Sequence, residues 1–272
     1  MSVRDILGRY RIPRRLRRAW FRYQRRRPPR CPRGWRTGPP DFVGLGVQKA
    51  GTTWWYDLIT RHPGVSHRGR PKELNFLSSF WERPFGAEDA ARYARYFIRP
   101  PGKLAGEWAP GYLYHFWAVP ALTVAAPQAR LLVLLRDPVE RYRSGLLVNA
   151  ELWTLDATQS NDAFQRGLYA SQLARLHRYF PPEQVLVLQY ERCIAETRAE
   201  LARTYQFLGL DDAFEPDEAT RPVNPTRFEK MPLAAEAQRE LVAAYEPEVA
   251  RLCELTSDVD VSLWPNFRHL KP

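Results

Sequence analysis

Short apolar runs alternate with longer amphipathic segments from Pro40 onward. The runs are rich in Val, Leu or Phe and predict strands at 42–47, 104–107, 131–135 and 185–189. The amphipathic segments predict helices at 52–61, 88–97, 138–149, 161–179, 194–208 and 233–255. Strands that alternate with helices are typical of a central parallel sheet covered on both faces. The pattern therefore predicts a three-layer α/β fold, with a polar loop at 211–230 before the last helix.

Charge divides the chain into an Arg-rich N-terminal tail, residues 1–38, and a main domain, residues 39–272. Residues 1–36 hold 14 arginines and one acid, a net of +13, whereas the whole chain carries +11. The basic character therefore belongs to the tail. A flexible or surface-docked tail and a contact with an anionic lipid surface or polymer both fit this composition. Nucleic acid is not an expected partner, because no recognition motif accompanies the arginines.

Length and cysteine usage set further limits. The 272 residues suffice for one sizeable α/β domain, and no apolar run approaches the length of a membrane span. The N-terminus lacks the apolar region of a secretory signal. Cys31, Cys193 and Cys253 are far apart and form neither a zinc-site nor a disulfide pattern. We expect no metal and a cytoplasmic protein, free or peripheral at a membrane surface.

The first candidate site is the loop between the predicted strand 42–47 and the helix that follows it. A Gly-bearing turn at this place offers backbone N–H groups and a helix N-terminus to an anion. Gly46 and Gly51 have the spacing of the kinase pattern G-x-x-x-x-G-K-[ST], but Thr52 occupies the lysine position and the lysine is Lys49. The loop therefore predicts a P-loop-like phosphate site that differs from one for Mg-ATP.

A second strand-to-helix junction follows the strand 131–135. Arg136 leaves the carboxyl end of that strand, where open α/β sheets bind ligands, and Ser144 lies about two helical turns later. Ser144 is expected to share a helix face with Arg141. An arginine and a hydroxyl suit a second phosphate. Alternatively, Arg136 pairs with Asp137 or Glu140 at the start of the helix.

Together, the two junctions resemble those of the PAPS-dependent sulfotransferases. The segment Val47-Gln-Lys-Ala-Gly-Thr-Thr-Trp54 is similar to their 5′-phosphosulfate loop, and residues 134–144 are similar to their 3′-phosphate pattern R-x-P-x-x-R-x-x-S. The resemblance implies 3′-phosphoadenosine 5′-phosphosulfate (PAPS) as co-substrate. It also implies cofactor contacts from the following residues: Lys49, Ala50, Gly51, Thr52, Thr53, Trp54, Arg136 and Ser144. Lys49 would stabilise the leaving oxygen.

A base for the acceptor comes from the segment Arg70-Pro-Lys-Glu-Leu-Asn-Phe76, which resembles the K-E-x-x-F-F element of the heparan-sulfate branch and its bacterial relatives. The resemblance implies that Glu73 is the catalytic base and that Lys72 lies beside the sulfuryl group. Alternatively, Lys72 and Glu73 form an ordinary surface pair. His67 and His115 are the competing histidine bases, although neither lies in the histidine motif of the hormone-type branch.

Two further elements depart from the family patterns. Glu107-Trp-Ala-Pro-Gly-Tyr112 matches E-K-[ST]-P-x-Y except that Trp108 replaces the lysine. Trp108 and Tyr112 are therefore candidates for acceptor binding, the alternative for Trp108 being a place in the core. In the predicted loop before the last helix, Arg227 is a candidate nucleotide contact.

The sequence thus predicts metal-independent sulfuryl transfer to a hydroxyl or amine of a small-molecule, lipid or carbohydrate acceptor. Two other functions remain open. One is a P-loop kinase of a small molecule, against which the missing lysine after Gly51 argues. The other is a nucleotide- or polyanion-binding module without catalysis.

Overall fold

The computed structural model describes residues 28–66, 72–150, 157–217 and 232–270, with side chains for all of these except 147–150. Within these ranges the strands are β1 (Arg36–Thr37), β2 (Phe42–Gly46), β3 (Ile98–Arg99), β4 (Gly106–Trp108), β5 (Arg130–Leu135) and β6 (Val185–Gln189). The longer strands form a parallel sheet in the order β4-β2-β5-β6, and β1 pairs with β3 in antiparallel orientation. Arg36 and Thr37, which the sequence assigned to the tail, are thus part of a strand pair.

Helices connect and cover these strands. They are α1 (Thr52–Arg61), α2 (Ala87–Ala94), α3 (Ala118–Ala125), α4 (Pro138–Ala150), α5 (Ala157–Gln165), α6 (Tyr169–Leu176), α7 (Tyr190–Ala195), α8 (Thr197–Leu208) and α9 (Ala235–Leu255). Single 3₁₀ turns lie at Leu77–Ser79, Pro182–Gln184, Val261–Leu263 and Arg268–Leu270. In the described part of the chain, no helix has the length and apolar character needed to cross a bilayer.

The sheet is buried because its strands are apolar on both faces. Every residue of β2 and β6 is buried, as expected for parallel strands between helical layers. From β2 the chain crosses through α1 and α2 to β4 on one side, and it then runs in the opposite direction, past β2 to β5 and through α4 to β6. Right-handed crossovers in opposite directions place α1 and α4 on opposite faces. The carboxyl ends of β2 and β5 therefore border the crevice in which such sheets bind ligands.

The predicted α/β class and all four sheet strands are confirmed, with β4 shifted toward Trp108. The single helix predicted at 161–179 is wrong, because α5 and α6 are separate. Gly167 lies between them, and a Cβ there would come within 2.6 Å of the Tyr245 hydroxyl. Likewise, 194–208 contains the end of α7 and all of α8. The sequence reading missed α3, which is apolar on nearly every side and contains Pro120.

Candidate functional site

The loop between β2 and α1 adopts backbone conformations that few residues accept. Gly51 directly precedes α1 and has φ 84°, and Lys49 has φ 73°. A Cβ on Gly51 would lie 2.6 Å from a ring carbon of Tyr190, so conformation and space both require glycine. The first N–H groups of α1 have no carbonyl partner within the helix, which makes this end suitable for an anion. The Ala50 N–H donates to the Val47 carbonyl at 3.4 Å.

Lys72 joins this loop to the candidate base. Its Nζ donates to the hydroxyls of Thr52 and Thr53 at 3.1 and 3.2 Å, and to Glu73 Oε1 at 3.1 Å. The Lys72 side chain is 10% exposed, whereas that of Glu73 is 42% exposed. Burial lowers the pKa of Lys72, and the Glu73 carboxylate acts in the opposite direction. The alternative of an ordinary surface pair therefore does not describe Lys72, which is buried against the loop.

The second oxygen of Glu73 also has a neighbour. Asn75 Nδ2 lies 3.5 Å from Glu73 Oε2, and Asn75 has φ 50°. This left-handed conformation, which Asn tolerates better than most residues, turns the chain so that the amide faces back toward Glu73. Both carboxylate oxygens are thus approached by donors from their own segment, Lys72 on one side and Asn75 on the other.

Arg136 connects the second junction to the first. Its Nη1 donates to the Lys49 carbonyl at 3.0 Å, and its guanidinium carbon lies 4.8 Å from the centre of the Tyr190 ring. Asp137, by contrast, uses Oδ1 to accept from the N–H groups of Val139 and Glu140 at the start of α4. The structure therefore shows Arg136 directed toward the β2–α1 loop, while Asp137 caps the helix.

Ser144 and Arg141 lie farther along α4 and are both buried. Arg141 Nη2 donates to the Ala163 carbonyl on α5. The predicted sharing of one helix face is consistent with this burial, since the two residues are three positions apart. Ser144 is the seventh residue of α4, whereas Arg136 precedes the first residue of that helix.

Tyr190 is a site residue that the sequence reading missed. Its ring lies against Gly51, beneath the guanidinium of Arg136, and edge-on to Trp54 with ring centres 6.5 Å apart. It therefore packs against both junctions. Its position directly after β6, at the carboxyl edge of the sheet, was the signal that could have identified it.

The carboxylates of Glu191 and Asp137 connect the second junction to residues near the C-terminus. Glu191 accepts from the Asp137 N–H at 3.1 Å and from the Trp264 indole N–H at 2.9 Å. Asp137 Oδ2 accepts from the N–H and side-chain amide of Asn266. Burial raises the pKa of Glu191 to about 7, and burial also raises the pKa of Asp137. The C-terminal segment that contains Trp264 and Asn266 is thus attached to the start of α4.

Known proteins share this sequence pattern and this fold. Residues 85–216 match the model of the Sulfotransferase family. The human heparan sulfate glucosamine 3-O-sulfotransferases 3B1 and 3A1 are each 28% identical over 187 residues, which cover 63% of this chain. A sulfotransferase structure from Alicyclobacillus acidocaldarius is 25% identical with a TM-score of 0.66, and the match covers 82% of this chain and 98% of that one. The resemblance to the sulfotransferase family is confirmed.

The extent of these matches differs between the two kinds of relative. The chain spans less than half the length of the human relatives, 46% and 44%. The sulfotransferase domain of the Synechococcus PCC 7002 olefin synthase is 15% identical, has a TM-score of 0.55 and matches over 98% of its length. This second likeness concerns the fold, and it agrees with the parallel α/β sheet described above.

The position at which this chain departs from the pattern E-K-[ST]-P-x-Y lies in the core. Trp108 is fully buried, its indole N–H donates to the Gly46 carbonyl at 3.1 Å, and its ring occupies the space beside Gly44. A Cβ on Gly44 would lie 2.0 Å from the Trp108 ring. Of the two alternatives for Trp108, the structure shows the core position. Tyr112 is also fully buried, so neither residue presents a surface to an acceptor here.

The remaining candidates are Trp54, the two histidines and Arg227. Trp54 is buried, with 1% of its surface exposed. His115 contacts the Ser78 hydroxyl through Nδ1 at 3.2 Å and stacks on Trp117. Burial lowers the pKa of His115 to about 4, which makes it a poor base near neutral pH. His67 and Arg227 lie outside the described residues.

Proposed function

We propose that this protein is a PAPS-dependent sulfotransferase that transfers a sulfuryl group to a hydroxyl or amine, with Glu73 as the base and without a metal. The observation that carries the proposal is the position of Lys72. Its ammonium contacts the hydroxyls of the β2–α1 loop and the carboxylate of Glu73. A candidate base, a cation and an anion-binding helix end thus lie together in one crevice, which is what group transfer from an anionic donor requires.

The residues present fit the two anionic ends of PAPS. The β2–α1 loop and the N-terminus of α1 would hold the 5′-phosphosulfate through backbone N–H groups, Thr52 and Thr53. Arg136 and Ser144 would hold the 3′-phosphate, and Arg136 is already aligned toward the first loop by its bond to the Lys49 carbonyl. Bound PAPS supplies the activated sulfuryl group. Lys49 and Lys72 would stabilise the charge that develops on the oxygen of the leaving 5′-phosphate.

Glu73 would accept the proton of the acceptor. With 42% of its side chain exposed, it can be approached from solvent by a hydroxyl or amine. The acceptor atom forms a bond to sulfur as the sulfur–oxygen bond to the 5′-phosphate breaks, and the acceptor proton passes to the Glu73 carboxylate. Lys72 holds Oε1 of that carboxylate and thereby fixes its direction.

A carbohydrate hydroxyl is the acceptor class to assay first. The human relatives are named for the 3-O-sulfation of glucosamine in heparan sulfate. Trp108 occupies the position at which the family pattern has lysine, so this chain lacks the positive charge of that lysine. We therefore propose a less densely anionic carbohydrate, with hydroxyl-bearing lipids and small molecules as the next classes.

The test combines radiolabelled PAPS with a panel of carbohydrate, lipid and phenolic acceptors and follows the label into product. Glu73→Gln should lower the turnover by about 10²–10⁴-fold, while the affinity for 3′-phosphoadenosine 5′-phosphate (PAP) stays at the wild-type value. The matched control is Glu82→Gln, an exposed acid on the segment that follows, and it should transfer at the wild-type rate.

Other outcomes separate the alternatives. Transfer by Glu73→Gln at the wild-type rate would remove this residue from the mechanism. Phosphoryl transfer from Mg-ATP together with inert PAPS would establish the kinase, whereas PAP binding without transfer to any acceptor would support the non-catalytic module.

A further inference from the structure

Glu107 in β4 is a buried carboxylate that accepts three hydrogen bonds. Its side chain is almost inaccessible, with 1% exposed. Oε1 accepts from the hydroxyls of Tyr93 and Tyr112 at 2.5 and 2.9 Å, and Oε2 accepts from the Leu74 N–H at 2.8 Å. All three partners are neutral donors. A carboxylate is the side chain that matches three converging donors, because it accepts at both oxygens and donates at neither.

Burying a carboxylate costs free energy of desolvation, which hydrogen bonds to its oxygens have to offset. Burial raises the pKa of Glu107, and the hydrogen bonds from Tyr93, Leu74 and Tyr112 lower it. Removing one partner from such a buried group leaves a charge or a donor unsatisfied. The three bonds therefore hold their donors firmly in place.

Two of those donors lead directly to the candidate catalytic segment. Leu74 is the residue after Glu73, and the neighbouring Trp108 N–H donates to the Lys72 carbonyl at 2.9 Å. The Tyr112 hydroxyl also accepts from the Leu77 N–H at 3.3 Å. Backbone groups on both sides of Glu73, and a third at the following 3₁₀ turn, are thus attached to β4 and to Tyr112.

We propose that Glu107 is a positioning residue for Lys72 and Glu73. It acts through the backbone of residues 72–77, which it fixes against the edge of the sheet, and it has no contact with the reacting atoms. This inference rests on the proposed function, since positioning matters if Glu73 and Lys72 act on the substrate. A displacement of about 1 Å of a catalytic group is enough to lower a rate about 10²-fold.

The test is Glu107→Gln, studied by steady-state kinetics, PAP binding and hydrogen exchange. A glutamine has one acceptor oxygen and an NH₂ donor, so at least one of the three donors then loses its acceptor. We expect kcat for sulfuryl transfer to fall about 10²-fold, with KM for PAPS and the affinity for PAP unchanged. Amide exchange should become faster in residues 72–77 and stay the same in β5.

Two further variants keep the test decisive. Tyr112→Phe removes both the donor to Glu107 and the acceptor of the Leu77 N–H, and should reproduce the loss of kcat if Glu107→Gln fails to fold. Tyr205→Phe is the matched control for a lost buried hydroxyl, because its hydroxyl donates to the Leu58 carbonyl in α1, apart from residues 72–77. It should leave kcat and the exchange of residues 72–77 unchanged.

The inference fails if Glu107→Gln and Tyr112→Phe retain the wild-type kcat, or if amide exchange in residues 72–77 does not change. It also fails if PAP affinity falls in parallel with kcat, which would indicate a general loss of structure. An inactive wild-type protein would refute the proposed function. In that case hydrogen exchange, which needs no catalysis, still decides whether Glu107 holds the segment.

Discussion

The guanidinium of Arg136 donates a hydrogen bond to the backbone carbonyl of Lys49 over 3.0 Å. This contact links two strand-to-helix junctions whose residues are 87 positions apart. Tyr190 packs against both junctions. Its ring occupies the space that a Cβ on Gly51 would need, and the guanidinium of Arg136 lies over the ring. The two ends of the proposed PAPS site are therefore parts of one packed unit.

Replacement of Arg136 should separate the two phosphate contacts. We expect Arg136→Ala to weaken PAP binding by about 1.5–3 kcal/mol, roughly 10- to 100-fold, because a charged hydrogen bond to the 3′-phosphate is lost. Binding of 5′-AMP, which lacks that phosphate, should change much less. Calorimetric titration of both nucleotides measures this. Arg143→Ala, which removes a partner of Glu140 on the same helix, is the control. An equal loss for both nucleotides would show that Arg136 is structural.

Gly51 should not tolerate a side chain. Gly51→Ala places a Cβ against Tyr190 in a left-handed backbone conformation, and we expect it to lower the free energy of unfolding by about 1–3 kcal/mol and to weaken PAP binding. Urea denaturation and nucleotide titration check both effects. Gly86→Ala is the control, because nothing lies within 4 Å of its Cβ position, and it should change stability by less than about 0.5 kcal/mol. A stable Gly51→Ala protein would contradict the described turn.

Trp108 should behave as a core residue. Trp108→Phe removes part of the buried ring and the bond to the Gly46 carbonyl, so we expect a loss of about 1–3 kcal/mol in the free energy of unfolding. The order of preference among acceptors should stay the same. Trp81→Phe, at a side chain that is 64% exposed, should cost less than about 0.5 kcal/mol. A changed acceptor preference with unchanged stability would instead place Trp108 in the acceptor site.

Glu191 should make stability depend on pH. Burial raises its pKa to about 7 from an ordinary value of 4.5, so the folded protein binds this proton more tightly than the unfolded chain does. The contribution to stability is present below the ordinary value and is lost as the pH rises through about 7. Relative to Glu191→Gln, the wild-type protein should therefore lose on the order of 1–3 kcal/mol of unfolding free energy between about pH 5 and pH 8. Urea denaturation across that range measures the difference, and parallel pH profiles for the two proteins would refute it.

Much of the fold followed from local patterns. The apolar runs predicted the four strands of the parallel sheet because strands buried between helices have to be apolar on both faces. The helix breaks at Gly167 and Glu196 were missed, because these depend on a tyrosine packed from α9 and on the start of α8. Periodicity within a segment contains no information about side chains that arrive from distant elements.

The sequence by itself predicted the residues of the candidate site. Gly51, Lys49 and Arg136 were identifiable because turns, charges and strand ends have local signatures, whereas Glu73 followed from the resemblance of its segment to the K-E-x-x-F-F element. The tertiary structure alone decided which of them meet. It brought Lys72 to the hydroxyls of Thr52 and Thr53, put Trp108 in the core instead of at the acceptor side, and made Glu107 the point to which residues 72–77 are attached. The physical reason is that burial and hydrogen-bond partners depend on which strands become neighbours, and the order β4-β2-β5-β6 is a property of the whole chain.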